Sequence, residues 1–271
     1  MADLDLSLRK LCLDHLAAAI DDAPALIEPF PHFRVKGFFP DDVYQDVLRL
    51  LPATALYEPF GYGKHHGAKG ESNRMRFRLS SESLKRLGPR RRSFWLTIRS
   101  VLGSVELKTL AFEKVAAGLA YRYAIDPADV ALLPGFALPE LFHERGGYAI
   151  APHPDTRKKV VTMQIALPRD DSQRELGTEF YARSLRPLSL IRPPRGFTIV
   201  RRMDFLPNTA YAFAVVNTFR LKSWHGKTAI PACLGNRDSI LNIWYAKVEN
   251  ANAELAEEAG WLGDMPHRRA A

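Results

Sequence analysis

Cysteine is almost absent: the 271-residue chain has two, Cys12 and Cys233, with no partner at a ligand-like spacing. That excludes a disulfide framework and a cysteine-based zinc module, and it fits reduced thiols in a cytoplasmic protein. Long apolar runs are missing too. No segment reaches the roughly 18 consecutive apolar residues of a spanning helix, and the leading stretch scatters acids among its leucines instead of placing a basic segment before an apolar one. The expectation is a cytoplasmic chain with no membrane partner. Internal repeats and low-complexity tracts are likewise lacking. Acids are the minority charge, 30 against 38 basic residues, for a formal net charge of +8. The excess is spread over Arg90 to Arg92, Lys158 with Lys159, and Arg201 with Arg202. No aromatic and basic platform is interleaved for stacking bases, so a solvated basic face is the better reading and nucleic acid is not an expected partner.

What is present is enough apolar material, 46% of residues, to bury a sizeable core in one elaborated domain over 1–271. The first part, 1–125, reads as mainly helical. Leucines fall at helical intervals in "LDLSLRKLCLDHLAAAI", "PDDVYQDVLRLLP" opens with acids in its first turn, and "SFWLTIRSVLGSVELKTLAFEKVAAGLA" returns to the helical period. One strand, "PFPHFRVKGFF", interrupts them. The Gly-rich basic segment 61–78 reads as a loop, either a substrate lid or an exposed loop with no catalytic role, with His65 and His66 left unassigned to metal. Its Arg74, Arg76 and Arg78 alternate as on one strand face.

From 126 to 248 the pattern becomes short runs rich in Val, Ile, Phe and Tyr, separated by Pro, Gly and Asn, as in a sandwich or barrel. Eight strands are expected, at 138–144, 148–152, 159–167, 178–183, 197–206, 210–216, 223–230 and 239–248, a number that suits two four-stranded sheets. Residues 249–271 read as a C-terminal appendage.

Chemistry concentrates in three short stretches of that second part. "HPD" places His153 and Asp155 at i and i+2, which share a face of an extended segment, with Pro152 and Pro154 stiffening the backbone. Alone, a His-x-Asp is more often a surface turn or a hydrogen-bonding pair than a metal site. "SWHG" adds His225 on another strand, followed by Gly226, which permits close backbone approach. "RDS" then offers Arg237 and Ser239, again at i and i+2. Two histidines and one carboxylate on a rigid sheet make a facial triad that leaves positions open on an iron(II) ion, and a guanidinium supplies a fork for a free carboxylate.

With "HPD", "SWHG" and "RDS" in this order, "GGY" before the first histidine and "GTEFY" at 177–181, the sequence resembles the iron(II)- and 2-oxoglutarate-dependent oxygenases, in their prolyl hydroxylase-like branch. The resemblance covers about 138–248. It implies an α+β fold, a double-stranded β-helix (jelly roll) over 126–248 with supporting N-terminal helices. It also implies that His153, Asp155 and His225 bind Fe(II) and carry the catalysis. Arg237 would pair with the far carboxylate of the cosubstrate 2-oxoglutarate and Ser239 would donate a second bond to it. Tyr148, or Lys158 or Lys159, would assist or substitute. The implied reaction consumes dioxygen and 2-oxoglutarate, releases succinate and carbon dioxide, and hydroxylates a small-molecule or natural-product substrate, with ascorbate as a stimulant and an anionic metabolite among the substrates considered. A peptide side chain is the alternative substrate, and a non-catalytic cupin-like metal-binding protein the alternative class. Because the carboxylate Asp155 is present, halogenation is disfavoured.

Overall fold

The computed structural model describes residues 4–60 and 72–250. His65 and His66, most of the expected lid and nearly all of the C-terminal appendage lie outside the described residues. Seven helices are described: α1 (Leu6–Asp21), α2 (Asp41–Arg49), α3 (Ser81–Lys85), α4 (Pro89–Leu102), α5 (Val105–Lys114), α6 (Ala116–Tyr123) and α7 (Pro187–Ile191). Local chemistry explains their starts. Asp5 caps α1 by accepting the Leu8 N–H at 2.9 Å, Ser104 caps α5 through the Leu107 N–H at 3.1 Å, and Pro89 sits in the first turn of α4, where its missing N–H is not needed. The buried face of α1 is Cys12, Leu16 and Ile20, one residue per turn.

The strands are β1 (Ala25–Leu26), β2 (His32–Lys36), β3 (Glu58–Pro59), β4 (Arg74–Arg78), β5 (Phe136–Glu144), β6 (Ile150–His153), β7 (Lys159–Ala166), β8 (Glu179–Arg183), β9 (Phe197–Arg202), β10 (Thr209–Ala214), β11 (His225–Lys227) and β12 (Arg237–Tyr245). They form an eight-stranded sheet in the order β1-β2-β10-β7-β12-β5-β4-β3 and a four-stranded sheet in the order β6-β11-β8-β9. From β5 onward the chain passes back and forth between them, with β5, β7, β10 and β12 in the large sheet and β6, β8, β9 and β11 in the small one, β8 and β9 being consecutive antiparallel neighbours there. All eight expected strands are therefore found, four to each sheet, and β1 to β4 extend the large sheet at both edges. One expectation is corrected. Within the segment read as a loop, residues 74–78 are the strand β4, because they pair with β5 from Arg74 opposite Glu144 to Arg78 opposite Glu140.

The period of two along a strand divides the large sheet chemically. Its outer face is apolar and lies under the helices: Val161, Met163 and Ile165 of β7 and Ile240 and Trp244 of β12 join the main core with residues of α1, α4, α5 and α6. The Trp244 ring meets Phe112 of α5 edge-on at 6.0 Å, and Asn242 donates to the Leu102 carbonyl of α4 at 2.8 Å. The inner face carries the other parity, Arg74, Arg76 and Arg78 on β4, Glu140 and Glu144 on β5, Thr162 and Gln164 on β7, Arg237 on β12, and these line a cavity. Burying so many polar groups between sheets is costly unless they are paired, and here they surround open space.

Packing is close where the two turns of "GTEFY" begin. A Cβ on Gly177 would lie 1.3 Å from the Met203 carbonyl oxygen, so Gly177→Ala cannot be absorbed without moving the entry to β8. Overpacking of this kind costs about 1 to 3 kcal/mol or more. The variant is expected to melt several degrees below the parent in a calorimetric scan.

Candidate metal centre

His153 is the last residue of β6, and the antiparallel register sets it directly opposite His225, the first residue of β11. Their ring centroids are 4.4 Å apart. Asp155 follows β6 by two residues, its carboxylate buried, with Oδ2 3.8 Å from His225 Nε2. One ligand atom from each of His153, Asp155 and His225 lies within 4.8 Å of the other two. Three side chains separated by up to about half the length of the barrel sequence are thus brought to one point.

Each imidazole is oriented by its own backbone. Nδ1 of His153 bonds the Ala151 carbonyl and Nδ1 of His225 bonds the Ser223 carbonyl, both at 2.9 Å. A carbonyl only accepts, so Nδ1 carries the hydrogen and Nε2 presents its lone pair, the state a metal requires. Burial pushes the His225 imidazole down to about 4 against the opposing pull of Asp155, which keeps it neutral at neutral pH. Burial would raise the Asp155 carboxyl, but His225, Lys159 and a hydrogen bond from Thr162 outweigh it and hold the group down at about 2. Lys159 Nζ donates to Asp155 Oδ1 at 2.5 Å and Thr162 Oγ1 to Oδ2 at 2.8 Å, so the carboxylate is ionised and fixed in direction. A neutral N, N, O⁻ donor set on rigid strands fits a divalent ion of the iron, manganese or zinc type.

The approach of β6 to β11 depends on Gly226. A Cβ there would stand 2.6 Å from the Ile150 carbonyl oxygen and 3.1 Å from the Ala151 carbonyl carbon. The close approach read from "SWHG" is therefore present, and its counterpart is the strand bearing His153.

The triad opens onto a cavity of about 1050 Å³ between the sheets. Arg237, 2% exposed, lies in its wall within a dense network. Its Nη1 is paired with Glu144 Oε2, its Nη2 donates to Gln164 Oε1 at 2.7 Å, and its guanidinium lies 4.5 Å from the Phe205 ring centroid. The Arg237 Nε is buried without a hydrogen-bond partner. Gln164 Oε1 also accepts from Thr178 at 3.0 Å and Tyr211 at 2.8 Å. Tyr148 lines the same cavity, its phenol pushed up by burial and by Glu144, with the Arg74 guanidinium 5.2 Å from its ring centroid.

Ser239 shares the inward parity of Arg237 but is fully buried, and its hydroxyl accepts from Gln164 Nε2 at 3.2 Å. Lys158 is exposed and Lys159 is engaged by Asp155, so of the three residues named as assistants to Arg237 only Tyr148 stands beside it. His143 faces away and bonds Asp238 at 2.7 Å. Sequence reasoning did not find Glu144, Gln164, Thr178 or Lys227. Lys227 also lines the cavity, and burial lowers its ammonium to about 8, with Glu179 opposing that shift and Arg237 adding to it.

No family model matches the chain, and no curated protein matches it. Among solved structures it is similar to a prolyl-4-hydroxylase from Pseudomonas putida, with a TM-score of 0.51 and 11% identity over 86% of this chain and 99% of that one. It also aligns with an oxidoreductase of the 2OG-Fe(II) oxygenase family from Burkholderia pseudomallei, at a TM-score of 0.44 and 11% identity over 87% of this chain and 90% of that one. A third alignment is with the non-heme alpha-ketoglutarate-dependent epimerase SnoN from nogalamycin biosynthesis, at a TM-score of 0.44 and 14% identity over 96% and 91% of the two chains. At such identities the likeness to the first of these is one of fold.

Proposed function

We propose that this chain is an iron(II)- and 2-oxoglutarate-dependent dioxygenase acting on a small-molecule substrate, built on a double-stranded β-helix. The passage of strands back and forth between two sheets is the winding such a helix requires. The single observation that carries the reading is the triad: His153, Asp155 and His225 present ligand atoms within 4.8 Å of one another at the wall of a large cavity lined by both charged and apolar side chains. When bound, iron(II) with 2-oxoglutarate supplies activation of dioxygen, coupled to decarboxylation of the cosubstrate to succinate and hydroxylation of a substrate C–H bond.

The chain's own residues orient and exclude. Ala151 and Ser223 fix the two imidazoles through their carbonyls, Lys159 and Thr162 fix the carboxylate, and these three groups, the ones that among the described residues would hold the metal, would leave it accessible to the cosubstrate. Arg237 receives the far carboxylate of the cosubstrate and Tyr148 assists from β6's approach. Ser239 acts through Gln164, whose amide holds it on one side and Arg237 on the other. A cavity of about 1050 Å³ is of the size that takes a small molecule together with the cosubstrate. A cupin-like metal binder has no use for a buried arginine beside its ion, which favours turnover over storage.

The test is succinate formation by purified protein supplied with iron(II), 2-oxoglutarate, ascorbate and air. Slow metal-dependent succinate release is expected even without the prime substrate; absence of both release and metal binding defeats the reading. Arg237→Gln should raise the 2-oxoglutarate concentration needed for half-maximal release at least about 30-fold, since removing one partner of a buried charge pair costs roughly 2 kcal/mol or more. An unchanged requirement reassigns that role.

A further inference from the structure

The small sheet brings a cation of its own to the cavity, and among the described residues no ion pair uses it. Lys227 follows His225 by two residues on β11, so the two side chains leave the same face of the strand, and both line the cavity. It is 5% exposed. Among the described residues its ammonium makes no salt bridge, and its hydrogen bond to the Glu175 carbonyl is long, 3.4 Å. The acid whose charge acts on it most, Glu179, is engaged elsewhere: its carboxylate accepts from Tyr181, from Arg202, and from the Thr228 backbone and hydroxyl. A buried ammonium with three donors and one long contact is unfavourable on its own account.

We propose that Lys227 anchors the far carboxylate of the 2-oxo dicarboxylate cosubstrate, working from the small sheet opposite Arg237 in the large one. The assignment rests on the oxygenase reading above. Spacing supports it first. Residues two apart on a strand are separated by about 6.6 Å, and the terminal carbons of an extended five-carbon diacid by about 5 Å, so a diacid held at one end beside His225 brings its other end level with Lys227. Register supports it second. Gly226 is opposite Glu179 on β8. Continuing that antiparallel pairing by one residue sets Lys227 against Thr178, whose hydroxyl accepts from Arg237 Nη2 at 3.4 Å.

Charge supports it third. Arg237 enters the site paired with Glu144, which also pairs with Arg74 at 3.0 Å. One carboxylate between two guanidiniums leaves one net positive charge, spread over Arg74 and Arg237 and held within their network. Lys227 brings the uncommitted positive charge that an incoming carboxylate needs, and Arg237 Nε, without a partner in the fold, adds directionality. The two cations therefore act from opposite walls, Lys227 as a compact charge and Arg237 as a planar fork.

The experiment is calorimetric titration of manganese(II)-loaded protein with 2-oxoglutarate and with 2-oxobutanoate, which keeps the chelating end and lacks the far carboxylate. Wild-type protein is expected to bind 2-oxoglutarate much more tightly. Lys227→Met should weaken 2-oxoglutarate binding more than 10-fold while leaving manganese and 2-oxobutanoate affinities unchanged, and Lys227→Arg should restore most of the loss. Equal 2-oxoglutarate affinity in wild type and Lys227→Met overturns the assignment, as does parallel weakening of both ligands, which would mark Lys227 as a structural residue. Failure of metal-loaded wild type to bind 2-oxoglutarate overturns the oxygenase reading and the assignment with it.

Discussion

Asp155→Ala is expected to abolish metal binding, lowering manganese(II) affinity by more than about 100-fold, beyond the 10- to 100-fold seen when only a residue supporting a ligand is lost. Two losses combine in this variant. The site forfeits its only anionic donor, leaving two neutral imidazoles. It also strands Lys159, whose ammonium now donates to Asp155 Oδ1 and would instead face the imidazoles and repel the incoming cation. Asp155→Asn separates the two effects, since it keeps an acceptor for Lys159 and Thr162 while removing the charge. Calorimetric titration with manganese(II) and circular dichroism of each variant provide the measurements. Metal affinity within a few-fold of wild type in a folded Asp155→Ala protein would remove Asp155 from the ligand set.

Gly226→Ala is expected to act at the same site without touching a ligand. The new methyl group would meet the Ile150 carbonyl oxygen at 2.6 Å, and that oxygen belongs to the strand that ends in His153. Neither neighbour is a flexible side chain, so β6 must move away from β11. Because His153 and His225 face each other across that pair of strands, the movement widens the gap between their Nε2 atoms. Metal affinity should fall at least about 10-fold, in line with errors in ligand placement of less than an ångström being enough to weaken a site. The large sheet and its helical cover are remote from the contact, so the far-ultraviolet circular dichroism should be retained. A Gly226→Ala protein with unaltered metal affinity would show that the strand separation is not set by this residue.

The parts of the site that could be read in the sequence are those whose geometry is local. His153 and Asp155 are two residues apart, and their common face follows from the strand period alone. His225 and Gly226 are adjacent, and a glycine beside a ligand already suggests a close neighbour. The helices were legible for the same reason, with apolar residues recurring at helical spacing and acids in the first turn of α2. Glu144 was not legible. It reaches Arg237 across 93 residues of sequence only because β5 and β12 pair in the register that sets the two opposite each other. Gln164 similarly joins Arg237 across 73 residues. No local pattern distinguishes these from other polar residues on alternating strands.

β4 failed to be recognised for a different reason. "RMRFR" has the right alternation, but it follows a Gly-rich stretch and acquires strand structure by adding to the edge of β5. The alternation was informative all the same. Arg74, Arg76 and Arg78 share a face as expected, and that face is turned to the cavity rather than to solvent.

The division of the large sheet into a polar inner surface and an apolar outer one has a consequence for how the protein could be dissected. In most sandwiches cohesion comes from oil between the two layers; here guanidiniums, carboxylates and amides take part of that space, and the largest greasy contact lies at the back, beneath α1, α4, α5 and α6. The N-terminal helices are therefore a keel and not a removable accessory. A fragment starting after them would present Val161, Met163, Ile165, Ile240 and Trp244 to water and would keep only the smaller apolar clusters around Phe180 and Phe213 and around Tyr148 and Phe205 to hold itself together.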